Sequence, residues 1–143
     1  MYRRILIPID GSACSEQAVA EGVRLAKELG SEVTLLHALN VNPIVRDSPY
    51  EAEAVMRDVR HEAAALVEPS RRIAAEAGID VRVELADGEP ADEIARRSEA
   101  FDLVLIGSHG KGVVRRALLG SIAQAVLHRV LRPVLIVRCA APA

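Results

Sequence analysis

The sequence predicts an α/β fold, an open doubly wound sheet of five parallel strands with helices on both faces. Short runs rich in Val, Ile and Leu alternate with helical patterns along all 143 residues, and this alternation is typical of parallel sheets with right-handed crossovers. Half of the residues are apolar, which is enough for a compact core. We find no internal repeat, low-complexity tract or linker, so we expect one domain over 1–143.

Five β-branched runs are the candidate strands. The runs 103–106 and 134–137 are continuously apolar, as expected of strands covered on both faces. The run 81–85 alternates apolar and charged residues, which favours the edge of a sheet. In chain order the candidate strands are 5–9, 33–38, 81–85, 103–106 and 134–137.

Three of the four helical patterns that separate the strands have clear ends. The first has an apolar stripe from Ala18 to Leu29 and stops at Gly30, a residue that commonly ends helices. The third opens at Pro90 with acidic residues behind it, as the helix dipole favours. The fourth covers about 121–131 and is ended by Pro133.

The second helical pattern is the longest and the least regular. It covers about 51–77, with Gly78 as its stop. Pro69 lies inside it and predicts a kink or a break near residues 67–68. The segment 40–50 before this helix is the one long connection of the chain, and long connections often carry function.

The composition argues against several functional classes. A net charge of -2 provides no basic footprint for nucleic acid, and 2% aromatic residues leave few platforms for stacking bases. No apolar run approaches the roughly 20 residues that span a bilayer, and no signal peptide precedes the first strand. We therefore expect a cytoplasmic protein that binds neither nucleic acid nor membrane.

The cysteines and most of the histidines show no pattern typical of a metal site. Cys14 and Cys139 lie far apart in sequence. We expect both to be free thiols in a reducing cytosol, and a disulfide between them is the less favoured alternative. His37, His61 and His128 show no ligand spacing, and we give them no role.

The end of the fourth strand is the most informative segment. It runs into Gly-Ser-His-Gly at 107–110, and nine residues then separate Gly110 from Gly120 and the start of the fourth helix at Ser121. Glycines let backbone N–H groups approach an anion without a Cβ in the way. A helix start adds unpaired N–H groups and a partial positive charge. These features predict a phosphate-binding site.

A second polar segment, Asp10-Gly11-Ser12, follows the first strand. Ligands of open doubly wound sheets bind beyond the carboxyl ends of the strands, where the strand order reverses. If strands one and four are neighbours there, Asp10 faces the glycine loop and accepts a hydrogen bond from a ribose hydroxyl or a base. The plainer alternative is that Asp10 to Ser12 form only a turn and a helix N-cap, and that the glycines form only a tight turn.

Two common phosphate-binding motifs do not match. A P-loop needs Ser or Thr after Gly-Lys and a glycine five positions earlier. Here Gly110-Lys111 is followed by Gly112, and Leu105 occupies the position of the first glycine. The dinucleotide fingerprint is also missing, because no Gly-x-Gly-x-x-Gly follows the first strand.

The spacing G-x2-G-x9-G-S, which runs from Gly107 to Ser121, resembles the nucleotide-binding signature of the universal stress protein family. The likeness covers essentially the whole chain. It implies a Rossmann-like sheet of strand order 3-2-1-4-5 and, usually, a homodimer. In that order the run 134–137 is an apolar edge strand, which is a pairing hazard if left open, so we expect the two copies to meet through it. The likeness also implies the branch of the family that binds ATP through this signature. We expect ATP to bind alone or with Mg²⁺ or Mn²⁺, the cation being held mainly by phosphate oxygens and water. The other matching segments are 5–12, 35–38, 102–107 and 133–137.

The resemblance also implies roles for individual residues. Valine is frequent in the ATP-binding branch at the position of Ala38, so alanine there implies looser packing of the adenine. The adenosine pocket would be lined by Pro8, Asp10 and Ala38. The ribose and phosphates would be bordered, through backbone groups, by Ile106, Gly107, His109 and Gly110. The residues that cover the phosphates would be Gly120, Ser121 and Ile122.

We expect a nucleotide-dependent regulatory protein of the stress response with little or no hydrolysis, and we predict no catalytic residue. Phosphoryl transfer needs metal ligands, an electrophilic clamp and a group that orients water, and Asp10 is the only carboxylate near the loop. Lys111 or Arg115 would neutralise phosphate charge without chemistry, or belong to a solvated face. Two alternatives stay open: a slow ATPase, and an interaction scaffold whose pocket is vestigial or holds another adenine nucleotide such as cyclic AMP.

Overall fold

The chain forms one parallel sheet in the computed structural model, which describes residues 1–41, 49–110 and 118–139. Within these residues the strands run in the order β3-β2-β1-β4-β5. This topology confirms the predicted fold class and places the alternating strand, β3, at one edge. The strands are β1 (Arg4–Pro8), β2 (Glu32–Leu39), β3 (Val81–Asp87), β4 (Leu103–Gly107) and β5 (Val134–Val137).

Four α-helices connect the strands within the described residues. The first ends at Gly30, which adopts the left-handed conformation with φ 70°, as its position after the last turn predicts. The last helix stops two residues short of the predicted end, because Val130 turns to an extended conformation and is buried. The helices are α1 (Ala13–Leu29), α2 (Ala52–Glu76), α3 (Pro90–Ser98) and α4 (Ser121–Arg129).

Helix α2 continues through Pro69, so the predicted break near residues 67–68 is wrong, while the alternative of a kink there stays a prediction. A proline in a helix removes one backbone hydrogen bond and crowds the preceding turn. Here Val67 and Ser70, on either side of the proline, are each only 2% exposed. Burial of this helix face against the core offsets the free-energy cost of the proline, and α2 therefore remains one helix.

The two faces of the sheet carry separate hydrophobic cores, because side chains alternate along each strand. On β1, Ile5 and Ile7 point to the face covered by α1 and α2, while Leu6 points to the face covered by α3 and α4. The first core also contains Val19, Val23, Val33, Leu35, Val67 and Leu105. The second also contains Leu36, Ile94, Phe101, Val104, Ile106 and Val126.

Strands β1 and β4 pair directly, with Ile5 opposite Leu103 and Leu6 opposite Val104. The chain proceeds from β1 to β2 on one side, and β4 lies on the other side, so the strand order reverses between β1 and β4. The carboxyl ends of both strands therefore open into one crevice, as the sequence predicts for a ligand site. Most of the long connection between β2 and α2, residues 42–48, lies outside the described residues.

The two cysteines form a disulfide, which corrects the expectation of free thiols. The Cα atoms of Cys14 and Cys139 are 5.5 Å apart, although 125 positions separate the residues in sequence. Cys14 lies in the first turn of α1, and Cys139 follows the end of β5. Both are at the carboxyl edge of the parallel sheet, so the topology brings together two thiols that sequence distance suggests are unrelated.

Candidate functional site

A cavity of about 320 Å³ opens at the carboxyl ends of β1 and β4. Its volume and its mixed apolar and polar wall are typical of a site for a small molecule. The structure brings every residue of the predicted site to the wall of this one cavity. These residues are Pro8, Asp10, Ala38, Ile106, Gly107, His109, Gly110, Gly120, Ser121 and Ile122.

Asp10 serves the local turn and lines the cavity as well. Its Oδ1 accepts a hydrogen bond from the Ser12 N–H at 2.9 Å, and the Ser12 Oγ caps α1 by accepting from the Ser15 N–H at 3.1 Å. Asp10 to Ser12 therefore form a turn and a helix N-cap, but they do not form only that, because Asp10 also lines the cavity. The other carboxylate oxygen, Oδ2, lies so close to Gly110 that a methyl group on that glycine would overlap it. Asp10 and the glycine loop thus form adjoining walls of one cavity.

The glycines of the loop are in close contact with the backbone and side chains behind them. A methyl group on Gly107 would lie 2.8 Å from Cys14 Sγ, and one on Gly120 would lie 3.3 Å from His109 Cα. The Gly120 N–H also donates a hydrogen bond to the Ser108 carbonyl at 2.6 Å. Segments 107–110 and 119–122 are therefore tied together at the cavity.

The amino end of α4 faces the cavity without a side-chain cap. Its N-cap is Gly120, which has no side chain to offer to the first N–H groups. The first intrahelical bond runs from the Gln124 N–H to the Gly120 carbonyl at 3.0 Å. The residues between them, 121–123, all line the cavity. This end of the helix therefore has the geometry and partial positive charge of an anion site.

Ser108 connects the loop to the C-terminal strand. Its side chain is buried, and its N–H donates to the Val137 carbonyl at 2.8 Å. Its Oγ lies 3.0 Å from His109 Nδ1 and accepts a hydrogen bond from the Cys139 N–H at 3.1 Å. The position of the loop therefore depends on the chain that follows β5.

Part of the cavity wall is apolar and suits a flat ring better than a charged group. Among the described lining residues, Asp10 is the one carboxylate, and neither Lys nor Arg occurs. Lys111, Arg115 and Arg116, the basic residues of the connecting segment, lie outside the described residues. The apolar wall consists of Pro8, Leu36, Ala38, Pro90, Ile94 and Ile106.

Several lining residues were not predicted from the sequence. Pro90 and Ile94 begin α3 directly after β3, and Ser15 lies in the first turn of α1. The sequence could have indicated these residues, because every segment that follows a strand of a parallel sheet starts at the same edge of that sheet. His37, which was given no role, has its Nδ1 3.0 Å from the Ile9 carbonyl and so contacts the segment that carries Asp10.

The fold and the cavity together define a class of protein: an α/β protein with a doubly wound parallel sheet and a small-molecule site at the point where the strand order reverses. Residues 1–138 match the model of the universal stress protein family, and the chain belongs to that family. It is 33% identical over 142 residues to the universal stress protein MJ0531 of Methanocaldococcus jannaschii. That alignment covers 96% of this chain and 83% of the relative.

Solved structures show the same architecture. The structure of the hypothetical protein MJ0577 superposes with a TM-score of 0.85 at 29% identity, covering 99% of both chains. A universal stress protein in complex with cAMP matches with a TM-score of 0.71 at 23% identity, over 96% of this chain and 97% of that one. One from Archaeoglobus fulgidus in complex with dAMP matches with a TM-score of 0.70 at 21% identity, over 94% of this chain and 97% of that one. At these identities the two complexes show a shared fold.

Proposed function

We propose that this chain binds ATP in the cavity between β1 and β4 and uses the bound nucleotide as a regulatory ligand. The observation that carries the proposal is the juxtaposition of Asp10, the segment 107–110 and the uncapped start of α4 in one cavity. An apolar wall, a carboxylate and a set of backbone N–H groups match the three parts of the ligand: base, ribose and phosphates.

The proposed binding mode follows from that arrangement. The adenine lies against Ala38, Ile94 and the other apolar residues, and Asp10 accepts from a ribose hydroxyl. The phosphates lie against the glycine loop and the N–H groups of Ser121 and Ile122. Among the described residues, no group of three or more His, Cys, Asp or Glu is placed to hold a metal. A Mg²⁺ or Mn²⁺ that accompanies ATP would therefore be held mainly by phosphate oxygens and water.

A second candidate ligand is an adenine monophosphate, including cyclic AMP. The family members solved with cAMP and dAMP share this fold, and the apolar wall selects the base irrespective of the number of phosphates. Titration with ATP, AMP and cyclic AMP separates the two possibilities. We expect ATP to bind most tightly, because only its longer chain reaches the start of α4. An equal or higher affinity for cyclic AMP would favour the alternative.

The site assignment is tested by isothermal titration calorimetry with ATP on the Gly110→Val and Gly120→Val variants. Side chains there would displace Asp10 Oδ2 or separate the loop from the start of α4, so we expect both variants to lose measurable binding. The control is Ala75→Val, which adds side-chain volume at an exposed position of α2 that does not line the cavity. Normal ATP binding by both valine variants would contradict the assignment.

We propose little or no ATP hydrolysis. Phosphoryl transfer needs metal ligands, an electrophilic clamp and a group that orients water, whereas the described lining residues include one carboxylate, Asp10, and neither Lys nor Arg. We expect a turnover well below about 1 s⁻¹, the low end of typical enzymes. If the purified protein released inorganic phosphate above that rate, and the Gly120→Val variant did not, the chain would be an enzyme.

We also propose a cytoplasmic homodimer formed through β5. This strand is at the edge of the sheet, and Leu135 on it is 38% exposed. An open apolar edge favours pairing with another chain, and a second copy covers it with an isologous contact. No helix among the described residues has the length and apolar character that a membrane span requires.

Light scattering tests the dimer. We expect Leu135→Arg to convert the protein to a monomer at micromolar concentration, since it places a charge in the paired edge. The matched control is Leu85→Arg, which changes an exposed leucine on β3 at the other edge of the sheet. A wild-type protein that is already monomeric, or an Leu135→Arg variant that remains a dimer, would contradict this interface.

A further inference from the structure

We propose that the Cys14–Cys139 disulfide is a redox modification site that controls ligand affinity in the neighbouring cavity. The inference rests on the proposed function for its readout, but the disulfide itself can be tested separately. Its position next to the glycine loop, rather than the presence of two cysteines, carries the inference.

The disulfide lies directly behind the loop. A methyl group on Gly107 would be 2.8 Å from Cys14 Sγ and 3.1 Å from the Cys14 carbonyl oxygen. The front of Gly107 lines the cavity. Gly107 therefore lies between Cys14 Sγ and the cavity, and a change of the disulfide displaces the loop because interiors are closely packed.

A chain of hydrogen bonds joins Cys139 to the start of α4. The Cys139 N–H donates to Ser108 Oγ at 3.1 Å, and the same oxygen lies 3.0 Å from His109 Nδ1. The Ser108 carbonyl in turn accepts from the Gly120 N–H at 2.6 Å. Cys139 lies two residues beyond the end of β5, so the disulfide is the covalent link that keeps this donor in place.

The two sulfur atoms differ in a way that makes reduction feasible. Cys139 is half-buried, whereas Cys14 is 8% exposed. A dithiol reductant attacks Cys139 Sγ with one thiolate, the bond to Cys14 Sγ breaks, and Cys14 leaves as a thiolate at the amino end of α1. Thiolates are stabilised there by the helix dipole. The second thiol then displaces Cys139, which yields two protein thiols and one oxidised dithiol.

Reduction should weaken ATP binding by about fivefold, the factor that one neutral hydrogen bond is worth. Without the disulfide the chain after β5 can move away, and Ser108 then loses the Cys139 N–H. The loop that holds the phosphates is consequently less well ordered. The same effect should follow from Ser108→Ala in the oxidised protein, because this change removes the shared oxygen.

The first experiment asks whether the disulfide forms in the purified full chain. The protein is equilibrated with glutathione disulfide, denatured, alkylated with iodoacetamide and weighed by intact mass spectrometry, with and without prior reduction by dithiothreitol. We expect no alkylation before reduction and two alkylated cysteines after it. Two alkylated cysteines in the oxidised sample, or glutathione adducts on both, would overturn the proposal.

The second experiment compares ATP affinity by calorimetry in the oxidised and reduced protein. We expect the reduced protein to bind about fivefold more weakly. The control is the double variant Cys14→Ala/Cys139→Ala, whose affinity should match the reduced protein and should not change with dithiothreitol. Oxidised Ser108→Ala should be close to the reduced wild type and should respond little to reduction.

The outcomes separate this proposal from the proposed function. Equal affinity in both redox states overturns the redox coupling and leaves ATP binding intact. Absence of ATP binding in both redox states contradicts the proposed function, and the coupling with it. Circular dichroism at the assay temperature is the structural check. Loss of the helical signal on reduction would overturn the local coupling, because the disulfide would then act on the whole fold.

Discussion

Gly22 shows how one residue sets the distance between a helix and the sheet. It lies within α1, where glycine is a poor helix former, and it faces β1 and β4. A methyl group at this position would overlap Ile7 Cδ1 and lie 3.4 Å from Leu105 Cδ1. Both side chains are fully buried, so neither has space to move. Close packing of α1 in turn places its first turn, with Ser15, at the wall of the cavity.

We predict that Gly22→Ala destabilises the protein by about 1 kcal/mol in urea denaturation. Overpacking a core costs about 1–3 kcal/mol, and the gain in helix propensity returns about 1 kcal/mol. Ile7→Val removes the overlapping Cδ1, so the double variant should be more stable than the sum of the single changes predicts. A Gly22→Ala variant more stable than the wild type would show that propensity outweighs packing here.

Helix α3 carries a buried carboxylate, Glu93, within a set of ion pairs that extends to β3. Glu93 is paired with Arg96 and Arg97 on its own helix, and Arg97 also pairs with Glu84 on β3 at 2.6 Å. The hydrogen bond from Arg96 lowers the pKa of the Glu93 carboxyl below its ordinary value, with the charge of both arginines adding to it, and burial opposes the effect. Because Pro90 and Ile94 of this helix line the cavity, the ion pairs also position part of the site.

The lowered pKa of Glu93 predicts a dependence of stability on pH. A carboxyl whose pKa is depressed by folding stabilises the protein above its unfolded value of 4.5, and this contribution is lost as the pH falls through the folded value. We expect Glu93→Gln to cost about 1 kcal/mol at pH 7 and to approach the wild type below pH 4.5. The control is Glu76→Gln, at an exposed position. A destabilisation that does not change with pH would contradict this assignment.

The disulfide links two distant parts of the chain. It joins the first turn of α1 to the residues beyond β5, over a sequence separation of 125 positions. A disulfide that closes a long loop restricts the unfolded chain more than one that closes a short loop. In the chain-entropy model, closing a 100-residue loop stabilises the folded state by about 4.7 kcal/mol. The disulfide also fastens the edge strand β5, which pairs with only one strand, β4, among the residues that the structure describes.

We predict that Cys14→Ala/Cys139→Ala lowers the free energy of unfolding by about 2–5 kcal/mol in urea denaturation. A domain of this size retains a folded state after such a loss, since typical stabilities are about 5–15 kcal/mol. The reduced wild type should have the same stability as the double variant to within about 0.5 kcal/mol. A variant as stable as the oxidised protein would show that the link does not constrain the unfolded chain.

Much of the fold was predictable because its signals are local. The apolar runs, the stop at Gly30 and the start at Pro90 each act within one or two turns of chain, and the strands and helices formed where these patterns predicted them. The break at Pro69 was wrong because burial of Val67 and Ser70 depends on a packed neighbour. The spacing from Gly107 to Ser121 predicted a set of residues that the fold then brought to one cavity, whereas their contact with ATP stays a prediction.

By itself, the sequence determined the α/β class, the order of the elements and the glycine-rich segment at the end of β4, because periodicity and backbone preference are encoded within short windows. Only the tertiary structure decided which distant residues meet. It paired Cys14 with Cys139, placed His37 against Ile9, and joined α3 to the cavity wall. These contacts depend on the strand order and on the shared carboxyl edge of the sheet, which no local window of the chain contains.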